Sequence, residues 1–337
     1  MGRLTTALAM VGGAAAGLGA LNTWLSWNAG PLESSLSGNS RFYHWVRDGE
    51  LYNVFYKVDG EGAPVLLVHG INAAASSYEM QKLFAGLSQS RRVYAIDLLG
   101  FGLSDRPGRA YTATDYVDLI DDFLRDVVQQ PAAIVASSLS AAYAVTVAAR
   151  APERVASLLL ICPTGLQRLA DPAGTQQKLI GAILRTPILG SGLFNLLVSR
   201  PSLRYFLAER TYADPAKVTD TMIDAYYCTS HQDGARYAPA AFLAGALNQS
   251  IRETYPSLTQ PIQIAWGREA QVTPVSDANL FIRARPETRL KVFERAGLLP
   301  HDECAEEFLE LARKALSAEN AEASNEKRET GSETREA

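Results

Sequence analysis

The hydrophobic and polar positions along the chain repeat with two alternating periods. Short, largely apolar runs typical of buried strands occupy residues 64–68, 92–98, 132–135, 155–162, 262–266 and 290–293. Residues 51–58 alternate aromatic and polar side chains like a half-buried strand, and residues 59–62 are typical of a hairpin turn. Residues 76–87 and 111–128 have the helical period. Strands that alternate with helices pair in parallel, so the pattern predicts an α/β fold with a mostly parallel central sheet flanked by helices.

One long stretch departs from this alternation. Residues 165–259 are helical in pattern, with aromatic and proline interruptions and no buried apolar strand. This composition predicts a helical lid inserted into the sheet domain. The sheet domain then comprises residues 41–164 and 260–317.

Both ends of the chain differ from the domain. Residues 4–27 carry no charge, are long enough to cross a bilayer as a helix, and include Trp24 and Trp27 where interfacial aromatics belong. We therefore predict a membrane anchor over residues 1–29. The alternatives are a signal peptide, whose cleavage yields a secreted protein, and a flexible alanine-rich terminus. Residues 30–40 form a Ser/Gly/Pro-rich linker, and the polar residues 318–337 are predicted to be a disordered tail.

Composition excludes several classes of function. The formal net charge is -4 and no basic aromatic patch is present, so no nucleic-acid partner is expected. The three cysteines are far apart, no CxxC or HExxH occurs, and the chain has only four histidines. Neither a metal nor a cofactor is predicted.

A serine at a strand-to-helix junction is the main candidate for chemistry. Ser138 follows the apolar run 132–135 and precedes an alanine-rich helical segment. Its second neighbours, Ala136 and Ser140, are small, as the sharp turn of a nucleophile elbow requires. The competing interpretation is a helix start capped by a serine.

Five motifs now stand in an order that resembles the α/β-hydrolase family over residues 41–316. They are His69-Gly70 after a buried strand, Asp97–Asp105 (D-x-x-G-x-G-x-S-D), Ala136–Ser140 in place of G-x-S-x-G, Trp266-Gly267 with Thr273-Pro274, and Ala296-Gly297 with Pro300-His301-Asp302-Glu303. The resemblance implies the α/β-hydrolase fold with its helical lid. It also implies acyl transfer, with Ser138 as nucleophile and the N–H groups of Ile71 and Leu139 as oxyanion donors.

The chain departs from the family where the partners of the serine belong. Ala270 stands at the position of the family's acid, and Leu298 at that of its histidine. Neither side chain can move a proton. His301, with Asp302 or Glu269 nearby, is the candidate substitute base, although it also fits a structural role at a helix start.

The other candidates have structural interpretations of their own. His231 lies in the lid, His69 belongs to the oxyanion loop, and Cys162 ends a strand. Asp97 and Asp105 fix loops in the family that the chain resembles. Six lid aromatics are expected to line an apolar cavity or to pack the lid: Tyr205, Phe206, Tyr226, Tyr227, Tyr237 and Phe242.

Two hypotheses follow for function. In the first, the protein has a degraded Ser-His-Asp triad and binds a small apolar or ester-like molecule under its lid, or acts as a scaffold. In the second, it is an active esterase or lipase-like hydrolase in which His301, His231 or a water chain serves Ser138. A cofactor-free lyase or oxygenase is a poorer third choice, since such enzymes usually also need a histidine near the elbow.

Overall fold

The computed structural model describes residues 19, 20, 22–24, 27 and 29–316. Most of the predicted anchor (1–29) and all of the predicted tail (318–337) therefore lie outside the described residues.

Eight strands form one sheet. They are β1 (Asn39–Arg47), β2 (Glu50–Asp59), β3 (Pro64–Val68), β4 (Arg92–Ile96), β5 (Ala132–Ser137), β6 (Val155–Ile161), β7 (Ile262–Gly267) and β8 (Arg289–Phe293). Their spatial order is β1-β2-β4-β3-β5-β6-β7-β8. The pairs β1–β2 and β2–β4 are antiparallel and the others are parallel. The prediction of an α/β fold with a mostly parallel sheet is confirmed.

Two details at the antiparallel edge differ from expectation. Strand β1 was not predicted, because six of its nine residues are exposed and its apolar residues do not alternate cleanly with polar ones. The turn at residues 59–62 does not close a hairpin, because β4 lies between β2 and β3 in the sheet. A local turn signal cannot reveal which strands will pair.

The helices are α1 (Gln81–Leu87), α2 (Ala113–Phe123), α3 (Leu139–Arg150), α4 (Thr175–Arg185), α5 (Ile188–Leu197), α6 (Arg200–Phe206), α7 (Asp220–Ser230), α8 (Tyr237–Leu243), α9 (Ala278–Ala284) and α10 (Pro300–Glu303). Residues 305–316 are also helical. Helix α2 begins with a capping box: the Asp115 N–H donates to the Thr112 hydroxyl (3.3 Å), and the Thr112 N–H donates to the Asp115 carboxylate (2.8 Å).

The core lies on both faces of the parallel strands, because β3 and β5 are buried along their whole length. Alanines on α3 let this helix lie close to the sheet beneath the β5–α3 junction. The Tyr143 hydroxyl on α3 donates to the Leu247 carbonyl (2.8 Å) and so ties the sheet domain to the connection between β6 and β7.

The β6–β7 connection contains α4 to α8, and no strand occurs among its residues. Within the described part of the chain, no single helix has both the length and the apolarity to cross a membrane. Helices α4 and α5 meet that test only as a pair, and they are bent by 106° relative to each other.

Candidate active site at the carboxyl edge of the sheet

Ser138 lies at the sharp turn between β5 and α3. Its backbone has φ 53° and ψ -119°, a conformation that a residue with a Cβ adopts only under constraint. The Ser138 N–H donates to the Ile161 carbonyl (2.9 Å), and the Thr164 N–H donates to the Ser138 carbonyl (3.3 Å). These bonds hold the turn in the geometry of a nucleophile elbow.

The loop after β3 supplies the first predicted oxyanion donor. His69 Nδ1 lies 2.7 Å from the Gly70 carbonyl, and the Leu98 N–H donates to Nε2 (3.1 Å). A carbonyl needs a donor and an N–H needs an acceptor, so the ring is neutral with its proton on Nδ1. Burial lowers the His69 pKa, which agrees with this assignment. Both nitrogens are used in fixing the loop, which makes His69 a structural residue.

The two predicted oxyanion donors, Ile71 and Leu139, belong to the two loops that meet at Ser138. Ile71 lines the same cavity as Ser138. Leu139 is the first residue of α3, so its N–H has no acceptor within the helix. The arrangement suits the binding of a partly negative oxygen.

The loop after β4 is held by its carboxylates, as the family resemblance implies. Asp97 accepts the N–H groups of Ser77 (2.6 Å) and Leu103 (2.8 Å). A Cβ on Gly102, whose φ is +51°, would lie 2.0 Å from the Asp97 carboxyl carbon, which explains the glycine. Asp105 accepts the Asn53 N–H (2.7 Å). These acidic side chains position loops.

The ends of β7 and β8 contribute apolar groups. Ala270 is buried after β7, and its N–H donates to the Gly267 carbonyl (3.3 Å). Leu298 follows β8, lines the Ser138 cavity and donates its N–H to the Thr211 carbonyl (2.7 Å). A Cβ on Gly267 would lie 1.8 Å from the Gly297 carbonyl oxygen, so the two loops touch through their backbones.

A cavity of about 330 Å³ lies over Ser138. Apolar side chains make up much of its wall: Ile71, Leu169, Phe206, Leu207, Phe242, Val272, Leu298 and Leu299. Of the six aromatics singled out in the sequence, Phe206, Tyr226 and Phe242 line it. Arg168 also lines it, and its guanidinium is paired with Asp277 (2.7 Å).

Glu79 is a cavity residue that the sequence did not reveal. It lies in the single helical turn Ser77–Met80, which the periodicity had merged into one helix over 76–87. Its Oε2 accepts the Gly70 N–H (3.2 Å), and its Oε1 lies 3.7 Å from His301 Nε2. Burial raises the pKa of Glu79 to about 7, although contacts with the Ser137 hydroxyl and the Gly70 N–H oppose the rise. The available signal was an acidic residue nine positions after Gly70, in a stretch otherwise free of charge.

The structure does not bring His301 to the cavity. Its ring is buried behind Glu79, 5.8 Å from the Phe308 ring between centroids. Burial lowers the His301 pKa to about 4, so the ring is neutral at pH 7. The neighbouring Asp302 is paired with Lys82 (2.9 Å) and accepts the Tyr212 hydroxyl (2.6 Å). Asp302 therefore does not orient His301 toward Ser138.

His231 and Glu269 also lie elsewhere. The His231 ring stacks on Tyr227 at 3.8 Å and donates from Nδ1 to the Tyr227 carbonyl (2.9 Å). His231 lines a separate cavity between the β6–β7 connection, Arg106 and the N-terminal segment at Asn22. Glu269 is exposed. Cys162 is a buried thiol whose pKa burial raises to about 12, as expected for a small core residue.

Comparison with known proteins identifies the family. Residues 65–311 match the sequence profile described as "Alpha/beta hydrolase family". The chain belongs to this family, as the motifs in its sequence implied.

Relatives with and without a known activity are similar to the chain. The 2-hydroxymuconate semialdehyde hydrolase of Pseudomonas putida is 29% identical over 269 residues, which are 78% of this chain and 90% of the relative. An uncharacterized protein of Mycobacterium tuberculosis is 26% identical over 279 residues, 79% of this chain and 78% of the relative.

Two solved structures extend the comparison. A meta-cleavage product hydrolase from Pseudomonas fluorescens IP01 has a TM-score of 0.65 at 26% identity, covering 83% of this chain and 98% of its own. A bacterial membrane phospholipase A has a TM-score of 0.65 at 20% identity, covering 95% of this chain and 99% of its own. The second likeness is one of fold.

Proposed function

We propose that the protein binds a small apolar or ester-like molecule in the Ser138 cavity, under a lid formed by the β6–β7 connection, with an incomplete Ser-His-Asp triad. One observation carries the proposal: Leu298 lines the cavity over Ser138 where the family resemblance leads one to expect the histidine. Ala270 occupies the place of the acid. The site thus keeps a nucleophile and oxyanion donors and lacks the ordinary proton carrier.

The rate loss expected without a catalytic histidine favours ligand binding over catalysis as the function. In a serine protease, loss of the catalytic histidine reduces the rate about a millionfold, and the oxyanion hole with substrate binding retains about a thousandfold over water. The cavity volume, about 330 Å³, lies within the range of small-ligand sites. A substituted triad removes the chemistry and leaves this apolar site in place.

The second candidate is an active hydrolase of an ester or acyl substrate, with Ser138 served by a non-standard base. The elbow geometry favours it, because a strained backbone costs about 1–3 kcal/mol and persists mainly at functional sites. His301 does not line the cavity. Glu79 does line it and lies 3.7 Å from His301, so Glu79 is the ionisable side chain nearest to both groups as a candidate base. The hydrolases among the relatives also support this candidate.

A fluorophosphonate probe separates the two candidates. The purified wild type and its Ser138→Ala variant are treated with the probe, and displacement of a fluorescent apolar dye by 1-decanol is measured in parallel. The binding proposal expects dye displacement without labelling. Labelling that Ser138→Ala abolishes establishes an activated serine, overturns the binding-only proposal and favours the second candidate, an active hydrolase with a non-standard base. Failure of the folded wild type to bind either dye or alcohol overturns ligand binding.

We also infer that residues 1–29 tether the domain to a membrane, with secretion after cleavage as the alternative. Trp24 and Trp27, in the described part of the segment, are 57% and 82% exposed. Asn22 donates to the Ile188 carbonyl (3.3 Å) and accepts from Asn195 (2.8 Å), so the segment meets the domain at α5. Large apolar side chains are exposed on α4 and α5 beside it: Leu179, Ile180, Ile188, Leu189, Leu193 and Leu196.

Flotation with phospholipid vesicles tests the tether. The full chain is expected to float, and the chain without residues 1–29 to remain in the soluble fraction. Release of the mature domain into the medium, with a new amino terminus inside residues 1–29, supports the secreted alternative instead.

A further inference from the structure

Helices α4 and α5 bury very little of their own surface. In α4 only Gly181 and Leu184 are buried, and α5 likewise buries only two residues. The large apolar side chains Leu179, Ile180 and Ile183 of α4 are exposed. They lie one to four residues apart, so they share one face of the helix. Exposed apolar side chains that cluster in this way mark an interaction surface.

The exposed apolar side chains of α5 form a stripe. Leu189, Leu193 and Leu196 follow one another at steps of four and three residues, which places them on one face of a helix. Leu189 is 55% exposed and Leu196 is 69% exposed. A surface helix normally turns such a stripe toward the core, whereas α5 turns it outward. Together with the three side chains of α4, this stripe is called the α4–α5 face.

The segment that contains this face has no acidic residue. The chain carries 36 acidic side chains in 337 residues, yet none lies within residues 172–208. Lys178 and Arg185, on α4, are exposed, and neither forms an ion pair among the described residues. Exposed apolar side chains next to unpaired basic ones are typical of helices that lie at the surface of an anionic membrane.

The N-terminal segment meets the domain at the same helices. Asn22 donates to the Ile188 carbonyl (3.3 Å) and accepts from Asn195 (2.8 Å). Trp24 and Trp27 of this segment are exposed, and tryptophan is enriched where a membrane meets water. These contacts connect the proposed tether to the α4–α5 face.

A second copy of the chain fits this face less well than a lipid surface does. Self-association through one face apposes the same patch of both copies. It would bring the positive charges of Lys178 and Arg185 together, with no acid in residues 172–208 to offset them. A leaflet that contains anionic phospholipid covers the apolar side chains and offsets both charges.

We infer that the α4–α5 face lies in the interfacial layer of an anionic phospholipid membrane, with its leucines and isoleucines against the acyl chains and Lys178 and Arg185 near the phosphates. The inference rests on the proposed tether of residues 1–29 and adds a second membrane contact, made by the β6–β7 connection. One shallow contact binds a membrane weakly and reversibly, so the face orients the tethered domain and does not replace the tether.

Fluorescence quenching in the full-length protein tests the position of the face. An NBD label is attached at Leu196→Cys in a Cys228→Ser/Cys304→Ser background, where the remaining cysteine, Cys162, is buried. On vesicles of phosphatidylcholine and phosphatidylglycerol the label is expected to shift its emission to the blue. Nitroxide-labelled acyl chains should then quench it. The same label at Leu51→Cys, an exposed site in β2, should keep its fluorescence.

Charge on the face should remove the contact. Leu189→Asp/Leu193→Asp is expected to abolish quenching at residue 196, while the protein still floats with the vesicles through residues 1–29. The matched control is Val46→Asp/Leu51→Asp, which changes two exposed apolar side chains of β1 and β2 and should leave the quenching unchanged. Both variants alter exposed residues, so both are expected to fold.

The variant Lys178→Gln/Arg185→Gln tests the charge of the lipid. Each basic side chain near an anionic surface contributes about fivefold to binding, so the ratio of inserted to free face is expected to fall about 25-fold on phosphatidylglycerol vesicles. On phosphatidylcholine alone the variant and the wild type should be quenched equally. Equal quenching on both kinds of vesicle overturns the anionic partner.

The outcomes separate the membrane contact of the face from the tether. Flotation of the full chain with an unquenched label at residue 196 overturns the contact and leaves the tether standing. A label that is already shielded before lipid is added shows that a second copy or residues 1–18 cover the face, and this result also overturns the contact. Failure of the full chain to float overturns both.

Discussion

The two halves of the carboxyl edge of the sheet differ in what they contribute to the cavity. After β3 and β5 the chain supplies polar and strained groups, including Ser138 at φ 53°, the His69 loop and Glu79. After β7 and β8 it supplies Ala270 and Leu298. The fold is continuous across both halves, so the difference lies in side chains and not in architecture.

This contrast separates the parts of a hydrolase site that the backbone forms from the parts that single side chains supply. The elbow and the proposed oxyanion donors consist of backbone N–H groups and turn geometry, which survive most substitutions. A proton carrier is a single side chain, and one substitution removes it. A member of this family can therefore keep the shape of a hydrolase site without its acid–base chemistry.

The largest expected effect comes from equipping the apolar half with the missing groups. The double variant Ala270→Asp/Leu298→His is expected to hydrolyse p-nitrophenyl acetate about a thousandfold or more faster than the wild type, because Leu298 shares the cavity with Ser138. Initial rates measure this. Adding Ser138→Ala must abolish the gain. A folded double variant without any gain contradicts the inference that positions 270 and 298 are placed to serve Ser138.

A stability measurement against pH compares Glu79 with His301. The pKa of Glu79 is about 7 in the folded protein against an ordinary 4.5, so this group costs stability as the pH rises from 4.5 to 7. The pKa of His301 is about 4 against an ordinary 6.5, so this group costs stability as the pH falls from 6.5 to 4. In the wild type the two dependences oppose each other and largely cancel.

Single variants expose each dependence. Relative to the wild type, Glu79→Gln is expected to gain up to about 3 kcal/mol at pH 8 and nothing near pH 4.5. Relative to its own value at pH 6.5, it should lose up to about 3 kcal/mol at pH 4, through His301. His301→Asn should show the opposite slope, losing stability as the pH rises to 7. Urea unfolding at each pH gives these values, and parallel profiles for all three proteins contradict the assignment.

The contact between the loops after β7 and β8 gives a smaller effect. Gly267→Ala places a Cβ 1.8 Å from the Gly297 carbonyl oxygen and is expected to cost about 2–3 kcal/mol. Gly192→Ala is the matched control, because a Cβ there meets nothing within 4 Å and the residue lies in α5. The control is expected to be neutral or to gain up to about 1 kcal/mol. Equal stabilities show that the loops can separate.

The smallest effect concerns strain at the elbow. Ser138→Gly removes the Cβ from a residue at φ 53° and is expected to stabilise the protein by about 1 kcal/mol, after the entropy cost of glycine. Ser138→Ala keeps the Cβ and should leave the free energy of unfolding nearly unchanged. Urea unfolding compares the two, and destabilisation by Ser138→Gly shows that the turn is relaxed.

The sequence alone was enough to predict the parallel core and its family. Largely apolar runs mark β3, β5 and β6, because a strand that is covered on both faces has no solvent-exposed polar face. The elbow at Ser138 was also visible, because its signal lies in adjacent residues. Strand β1 was missed, since an exposed edge strand is defined by its partner β2 more than by its own pattern.

The buried pair formed by Glu79, on the cavity wall, and His301 behind it was decided by tertiary structure. Glu79 and His301 are 222 positions apart, and only the folding of the sheet brings their side chains to 3.7 Å. Burial at that point shifts both pKa values toward the neutral forms, and burial is a property of the surroundings that no local pattern encodes. The position of Leu298 was also decided by tertiary structure. The sequence shows that residue 298 is apolar, but only the folded chain places it in the same cavity as Ser138.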